Sequence, residues 1–164
     1  AAWSRIAAGY RTAEGLTTVQ RSLVGGIADV IFPRTDTPSA TDVGVTDWVD
    51  LIVAEYYADD VRTAFVTGLD AIDAQVRASK GMAFTELDGA GRREVVASLD
   101  SAPQGGRGAV ADPAIEAARA YRRLKGLVVH GYFTSREVER SVLRVRTSFP
   151  KFEGSADYTP RPAR

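Results

Sequence analysis

The chain has 164 residues, of which 45% are hydrophobic and 26% charged, and its formal net charge is zero. This composition is typical of one globular domain and excludes wholesale disorder, and no apolar run reaches the roughly 18 residues that span a bilayer. Cysteine is absent, which excludes disulfides, thiolate metal sites and haem attachment through a C-x-x-C-H motif. Residues 1–114 carry 10 basic and 16 acidic side chains, and residues 115–164 carry 11 and 5. Such asymmetry can indicate nucleic-acid or membrane binding, but the charges are spread along helix-like patterns and not clustered, which favours self-complementation or a protein partner.

The spacing of apolar residues predicts an all-α fold, a small bundle of about five to six helices that forms one domain over residues 1–164, with an N-terminal extension at 1–15. The first helix covers 17–32, with Thr17 or Thr18 as its N-cap, and Pro33 ends it. A long Pro-rich loop follows, and Thr46 is the expected N-cap of the second helix. The predicted buried stripe of that helix consists of Val45, Val49, Ile52 and Tyr56, widened by Trp48 and Leu51.

The third helix has the clearest spacing in the chain and ends at Lys80-Gly81. Its apolar positions are Val61, Phe65, Leu69, Ile72 and Val76. After a turn at 84–88, a shorter helix carries Val95, Val96 and Leu99. Residues 101–112 contain three glycines and few apolar anchors, so we expect a flexible connection within the domain.

Asp112-Pro113 predicts the start of the next helix, because Asp caps the first turn and the missing N–H of Pro costs nothing there. Its predicted buried stripe is Ala117, Tyr121, Leu124 and Val128. Gly131 is expected to end this helix. Thr134 to Glu137 has the pattern of a capping box, which opens a last short helix through Val138, Val142 and Val145. An extended C-terminal tail is predicted over 148–164.

No set of residues has the pattern of a catalytic or metal site. His130 is the single histidine, and a capping or packed role is favoured over that of a general base. The acidic residues Asp36, Asp42, Asp47 and Asp50 lack the spacing of a calcium loop, and capping and turn formation explain Asp36, Asp42 and Asp47 without a metal. Four basic residues on one helix indicate a solvated or interface face and not a nucleic-acid site; they are Arg119, Arg122, Arg123 and Lys125.

Three features exceed what a self-contained bundle needs. They are the loop from Pro33 to Val45, the adjacent aromatics Tyr132 and Phe133, and the aromatic residues of the tail. We hypothesise that they form a partner interface. The candidate interface residues are Pro33, Thr35, Asp36, Pro38, Tyr132, Phe133, Phe149, Phe152 and Tyr158. The alternative is that these aromatics fold back onto the bundle's own core.

Four segments together carry a resemblance to a known family. They are the proline-rich loop PRTDTP with DVGV (33–38 and 42–45), GLDAIDA (68–74), FTELD (84–88) and GYFTS (131–135). In this order they resemble the gluconate 2-dehydrogenase subunit 3 family, small partner subunits of flavin-dependent sugar and polyol dehydrogenases. One departure is Ser39, where the family often has the glycine that suits a turn with positive φ.

The resemblance implies a non-catalytic accessory subunit that binds, stabilises and helps export a large FAD-binding catalytic subunit of the glucose-methanol-choline (GMC) type. It also implies that FAD is held by that partner, that no cofactor belongs to this chain, and that a cytochrome c subunit is a further candidate partner. Family members commonly carry a twin-arginine export signal, which implies a periplasmic location. The alternative is a free-standing helical adaptor without an enzyme partner. An enzyme in its own right is disfavoured by the lack of a nucleophile motif.

We therefore expect the purified chain alone to be colourless and inactive, because the sequence has no dinucleotide fingerprint, haem motif or metal-ligand cluster to hold a redox group. The measurement is the visible absorbance of the chain after gel filtration. Flavin or haem absorbance that stays with the isolated chain would contradict this prediction.

Overall fold

The computed structural model describes residues 15–103 and 112–144, and within them the fold is all-α, as predicted. The helices are α1 (Thr18–Ile31), α2 (Val45–Glu55), α3 (Asp59–Lys80), α4 (Gly89–Ser101), α5 (Pro113–Phe133) and the short α6 (Arg136–Val138). A 3₁₀ turn at Phe84–Glu86 precedes α4, and α6 continues as a π-helical segment at Glu139–Leu143. The N-terminal extension up to residue 14, most of the glycine-rich connection and the tail at 148–164 lie outside the described residues.

The start of α1 confirms Thr17 as the N-cap. The Thr17 hydroxyl accepts from the Gln20 N–H, and the Gln20 side chain accepts from the Thr17 N–H at 3.0 Å, so each residue satisfies one free donor of the first turn. Gln20 also donates through Nε2 to Asp70 on α3 at 2.8 Å. The cap therefore fixes the start of α1 and ties it to the next layer of the bundle.

The two longest helices, α3 and α5, form the centre of the bundle. The predicted stripe of α3 is confirmed for Phe65, Leu69, Ile72 and Val76, which are buried, whereas Val61 is half-buried. The predicted stripe of α5 is buried throughout, and it comprises Ala117, Tyr121, Leu124 and Val128. Asp112 caps α5 as predicted, accepting from the Ala114 N–H at 2.9 Å. The spacing of apolar residues thus predicted the central helix pair almost completely.

Tyr121 of α5 is buried with its hydroxyl directed to α4. Burial, reinforced by the Asp100 carboxylate that accepts its hydrogen bond, raises the pKa of Tyr121 from 10.0 to about 12. Lys125 lies on the same carboxylate at 2.5 Å. Because the folded-state pKa is the higher one, this group's contribution to stability is complete below pH 10 and is lost as the pH rises towards 12.

Two predictions about α2 are wrong. Its N-cap is Gly44, with φ +81°, and Thr46 lies inside the first turn, where its Oγ1 is buried without a hydrogen-bond partner among the described residues. Tyr56 is 73% exposed and does not continue the buried stripe, because the helix ends at Glu55. The rest of the predicted stripe is confirmed for Val45, Trp48, Val49 and Leu51, which are buried, while Ile52 is half-buried. Val53 adds a buried side chain that was not predicted.

The C-terminal end of α5 also differs from the prediction. Gly131 does not stop the helix, which continues to Phe133, and a Cβ at this glycine would lie 2.8 Å from Cε3 of Trp48. Thr134 is the C-cap of α5, donating through Oγ1 to the His130 carbonyl at 2.8 Å. Ser135 therefore takes the role predicted for Thr134 and caps α6. Gly131 therefore allows Trp48 to pack directly against the backbone of α5.

The last predicted helix is shorter than expected. Val138 is buried, but Val142 is 36% exposed in the π-helical segment, and Val145 lies outside the described residues. None of the described helices is both long enough and apolar enough to cross a membrane.

The crossing of α3 and α5 requires a glycine at position 68. A Cβ there would lie 2.4 Å from the Ala120 Cβ and 2.9 Å from the Glu116 carbonyl oxygen. We expect Gly68→Ala to lower the free energy of unfolding by about 1–3 kcal/mol, because the two helices must separate to accept the methyl group. The matched control is Gly126→Ala, on an exposed part of α5 with nothing within 4 Å of a Cβ.

Gly126→Ala should raise the free energy of unfolding by about 0.4–1 kcal/mol, since alanine restricts the unfolded chain and favours the helix. Urea unfolding followed by circular dichroism measures both variants. Equal effects of the two substitutions would show that the α3–α5 crossing is not close at Gly68.

Candidate partner-binding surface

The loop between α1 and α2, residues 33–44, is closed by its own backbone. The Ala40 N–H donates to the Phe32 carbonyl at 3.0 Å, and the Val45 N–H donates to the Ala40 carbonyl at 3.1 Å. Within the loop, the Thr35 N–H donates to the Thr37 carbonyl at 3.0 Å. These bonds join both ends of the loop to the helices that it connects, so the long connection has a defined shape.

Two carboxylates add further bonds to this loop. Asp29, in the last turn of α1, accepts from the Thr41 N–H at 2.9 Å and from its hydroxyl at 2.8 Å. Asp42 accepts from the Ser39 N–H at 2.8 Å and forms an ion pair with Arg34. The hydrogen bond from Ser39 lowers the pKa of Asp42, with a smaller effect from Arg34. The ionised Asp42 carboxylate therefore contributes to folding stability above the ordinary pKa of 3.8, and this contribution is lost as the pH falls below that value.

Three aromatic rings meet where this loop contacts the end of α5, and we name Phe32, Tyr132 and Phe133 the aromatic corner. The rings of Phe32 and Tyr132 stack with centroids 4.0 Å apart and planes 4° apart. Phe133 stands edge-on to both, 5.5 Å from each. The Tyr132 hydroxyl donates to the Pro38 carbonyl at 2.8 Å. The corner thus connects segments about a hundred residues apart in the sequence.

The structure divides the predicted interface residues. Pro33, Thr35 and Asp36 are exposed and Pro38 is half-buried, all in the closed loop. Phe133 is 43% exposed at the aromatic corner. Phe149, Phe152 and Tyr158 lie outside the described residues.

Tyr132 belongs to the bundle's own core, which was the alternative reading for the aromatics. It is only 3% exposed, so its role is to hold Pro38 and support Phe133. Sequence reasoning also missed Phe32, because it stands at the end of the α1 periodicity and resembles one more core residue. The adjacent Pro33 was the available signal, since it ends the helix and frees the Phe32 ring to turn towards α5.

The predicted acidic residues do not converge on one site. Asp47 and Asp50 both pair with Arg21 of α1, and Asp50, only 3% exposed, also accepts from the Leu16 N–H at 2.6 Å. Asp36 accepts from the Thr35 hydroxyl at 3.0 Å. In residues 15–103 and 112–144 no group of three His, Asp or Glu side chains could hold a metal ion. Arg21 lies between the carboxylates of Asp47 and Asp50. This ion pairing explains why Asp50 is buried, because a buried charge needs a partner.

His130 lies exposed in the last turn of α5. Its ring stacks on Trp48 with a centroid separation of 5.4 Å and an interplanar angle of 26°. Among the basic residues of α5, Arg122 donates to the Ala102 carbonyl and Lys125 pairs with Asp100. Two of the four cations therefore tie α5 to α4.

The comparison with protein families decides what kind of chain this is. The sequence model of gluconate 2-dehydrogenase subunit 3 matches residues 18–146. The chain belongs to this family. Neither the curated proteins nor the solved structures gave a match. By its family the chain is thus a subunit of a gluconate 2-dehydrogenase type of complex.

The four segments that carry the family resemblance build contacts between elements. In GLDAIDA, Gly68 allows the helix crossing, Asp70 accepts from Gln20, and Asp73 accepts from the Phe84 N–H at 3.4 Å. In FTELD, Phe84 is fully buried and Asp88 caps α4, accepting from the Gly91 N–H at 2.7 Å. Pro38 of PRTDTP and Tyr132 of GYFTS are joined by the hydrogen bond at the aromatic corner.

The departure at Ser39 has a local explanation. Among the described residues only Arg144 is a non-glycine with positive φ, so Ser39 has no need of glycine's freedom. It is 5% exposed, and its hydroxyl lies 3.2 Å from that of Thr41. The turn at this position is therefore made by hydrogen bonds of the serine.

The Tyr132 hydroxyl is expected to hold the loop in place. We predict that Tyr132→Phe lowers the free energy of unfolding by about 1 kcal/mol, because it removes one hydrogen bond and leaves the ring stack intact. Hydrogen exchange at the Ala40 and Thr41 amides should accelerate, while exchange in the centre of α3 should change only by the global effect. Tyr56→Phe, at a 73% exposed position, is the control and should change neither quantity. Unchanged exchange at Ala40 and Thr41 in Tyr132→Phe would contradict this role.

Proposed function

We propose that this chain is a non-catalytic subunit that binds and stabilises the large FAD-containing catalytic subunit of a gluconate-type sugar dehydrogenase. Its membership of the gluconate 2-dehydrogenase subunit 3 family over residues 18–146 is the observation that carries the proposal. In this proposal the flavin, the substrate pocket and the catalytic base belong to the larger chain. Electrons from the oxidised hydroxyl pass from FAD to a cytochrome c subunit or a quinone.

The surface proposed for the partner is the aromatic corner with the exposed part of the loop at 33–36. Phe133 is the exposed ring, and Val129, one helical turn earlier on the same face of α5, is 37% exposed. An aromatic ring with an aliphatic neighbour is the composition of an interface anchor. Arg34 and Asp36 are exposed in the loop, and in this proposal they supply the polar rim.

The geometry of the corner supports this choice over other exposed residues. Phe133 rests edge-on against two stacked rings, and the hydroxyl of one of those rings is bonded to the loop. A ring already held in position loses little conformational freedom on binding, so more of its burial energy remains for association. Tyr56 is more exposed, at 73%, but it follows the end of α2 and has no ring contact among the described residues.

The proposal also covers the location of the complex in the cell and its export. The complex would act in the periplasm, and the small subunit would accompany the folded flavoprotein through the twin-arginine export system. Stabilisation follows from mass action, because a chain that binds only the folded partner shifts that partner away from its unfolded state.

The test is co-expression with a GMC-type flavoprotein from the same genome, followed by purification through a tag on this chain. We expect Phe133→Ala to weaken the complex by about 1–2 kcal/mol, or roughly 5–30-fold in Kd, because an anchor ring is truncated. Tyr56→Ala is the matched control, an exposed aromatic away from the surface, and it should leave Kd within about twofold. Far-UV circular dichroism must show equal helix content in both variants.

The outcomes separate the hypotheses. Complex formation that is lost with Phe133→Ala and retained with Tyr56→Ala supports both the function and the surface. Retention with both variants rejects this surface and leaves the subunit function standing. If the wild-type chain captures no flavoprotein at all, the subunit proposal fails and a free-standing adaptor becomes the better account.

A further inference from the structure

An open groove lies between the first half of α3 and the first half of α5, away from the aromatic corner. Its volume is about 650 Å³, and its apolar lining includes Ala64, Phe65 and Ala120. Tyr57, just before α3, stands edge-on to Phe65 with a centroid distance of 5.8 Å. The groove therefore has an aromatic and aliphatic floor that extends to the connection between α2 and α3.

The rims of this groove are charged. Asp59, Asp60 and Glu116 contribute three carboxylates, and Arg119 and Arg123 contribute two guanidinium groups. Asp59 is also bonded to Arg62 at 2.7 Å. The carboxylates of α3 stand at its N-terminus, and the two arginines project from α5. An occupant that fits this groove has apolar side chains on one face and carries charged residues of both signs.

The first described residues fix where the preceding chain enters this region. The Leu16 N–H donates to Asp50 in the middle of α2, and Leu16 itself is 7% exposed. From Asp50, α2 continues by five residues to Glu55, a rise of about 8 Å, and Tyr57 follows at the edge of the groove. Fourteen residues span about 21 Å as a helix and more when extended, so residues 1–14 can reach the groove.

The sequence of residues 1–14, which lie outside the described residues, has the required pattern. Trp3, Ile6 and Tyr10 recur at i, i+3 and i+7, the spacing of anchors that enter a groove from one face of a helix. Arg5, Arg11 and Glu14 are the charged residues of this segment, and both arginines fall outside that face. We propose that the groove between α3 and α5 is the docking site of this chain's own residues 1–14, with Trp3 as an anchor on the apolar floor.

Trp3 provides a direct readout, because the sequence contains only two tryptophans, Trp3 and Trp48. Subtracting the emission of Trp3→Phe from that of the wild-type chain isolates the signal of Trp3. A tenfold preference for the docked state, equivalent to about 1.4 kcal/mol, lowers collisional quenching of Trp3 by acrylamide about tenfold relative to a free peptide of residues 1–14. Trp3 emission in the full chain should also be blue-shifted from that of the peptide.

Matched variants of the full chain test the site. Ala64→Arg places bulk and positive charge in the groove, and Ala74→Arg makes the same change at an exposed position of α3 outside it. We expect Ala64→Arg to raise Trp3 quenching to the level of the free peptide, and Ala74→Arg to leave it unchanged. Each variant carries its own Trp3→Phe reference. If Ala64→Arg lowers helix content, Thr67→Arg on the same rim takes its place.

Three results would overturn the proposal. In the first, Trp3 of the wild-type chain is quenched as strongly as in the peptide. In the second, protection of Trp3 survives the groove variants. In the third, protection increases with protein concentration, which would mean that a second copy supplies the contact.

Discussion

The close crossing of α3 and α5 at Gly68 and Ala120 is the constraint on which the other contacts depend. These helices have 22 and 21 residues, and they supply the two largest fully buried side chains of the described residues, Tyr121 and Phe65. Because no Cβ separates the backbones at Gly68, the rows that contain Phe65 and Tyr121 can close over one core. The direction of α5 then determines where its C-terminal end meets α1 and α2. Gly131 against Trp48 and Tyr132 against Phe32 are both consequences of that direction.

The periodic parts of the fold could be predicted from the sequence, whereas the ends of its helices were less certain. The stripes of α3 and α5 follow a period of 3.6 residues, and this signal needs no knowledge of neighbouring elements. Glycine shows the limit of such reasoning. Gly81 ends α3 with φ +75°, but Gly131 continues α5 because Trp48 leaves no room for a side chain. In the sequence, Gly81 follows Lys80 and Gly131 follows His130, and each pair stands at the end of an apolar stripe. Only the contact of Gly131 with Trp48 distinguishes the two glycines.

The candidate surface was predictable in its components but not in its arrangement. The loop at 33–38 and the pair Tyr132-Phe133 were recognised because each is unusual for a helical bundle. That Tyr132 turns inward while Phe133 turns outward depends on the continuation of α5 to Phe133, which the sequence did not indicate. Two successive residues on a helix are about 100° apart, so one ring faces the core and the next one faces solvent. The division of roles between the two rings is thus a result of helix geometry.

The family segments build the scaffold, and the proposed surface depends on that scaffold for its rigidity. Gly68, Asp73, Phe84 and Tyr132 are needed to build the scaffold, and their contacts are internal. A subunit that presents rigid aromatic residues to a larger protein needs such a scaffold, because any freedom in the scaffold must be lost on binding. Phe133 illustrates this dependence: it contributes the exposed ring, and its position is determined by the core contacts of Tyr132.

The geometry of α5 keeps the aromatic corner and the groove independent of one another. Arg119 and Phe133 are fourteen residues apart on one continuous helix, which is a separation of about 21 Å along its axis. Phe133 carries no charge, and the field of the charged groups in the groove is largely screened over this distance at physiological salt, since the Debye length is about 8 Å. Occupancy of the groove therefore has no direct electrostatic effect on the corner, and coupling would require α5 itself to shift. The contact at Gly68 opposes that shift, because α3 and α5 cannot slide past each other without separating Gly68 from Ala120. The same close crossing that organises the core thus allows one helix to carry two separate binding surfaces.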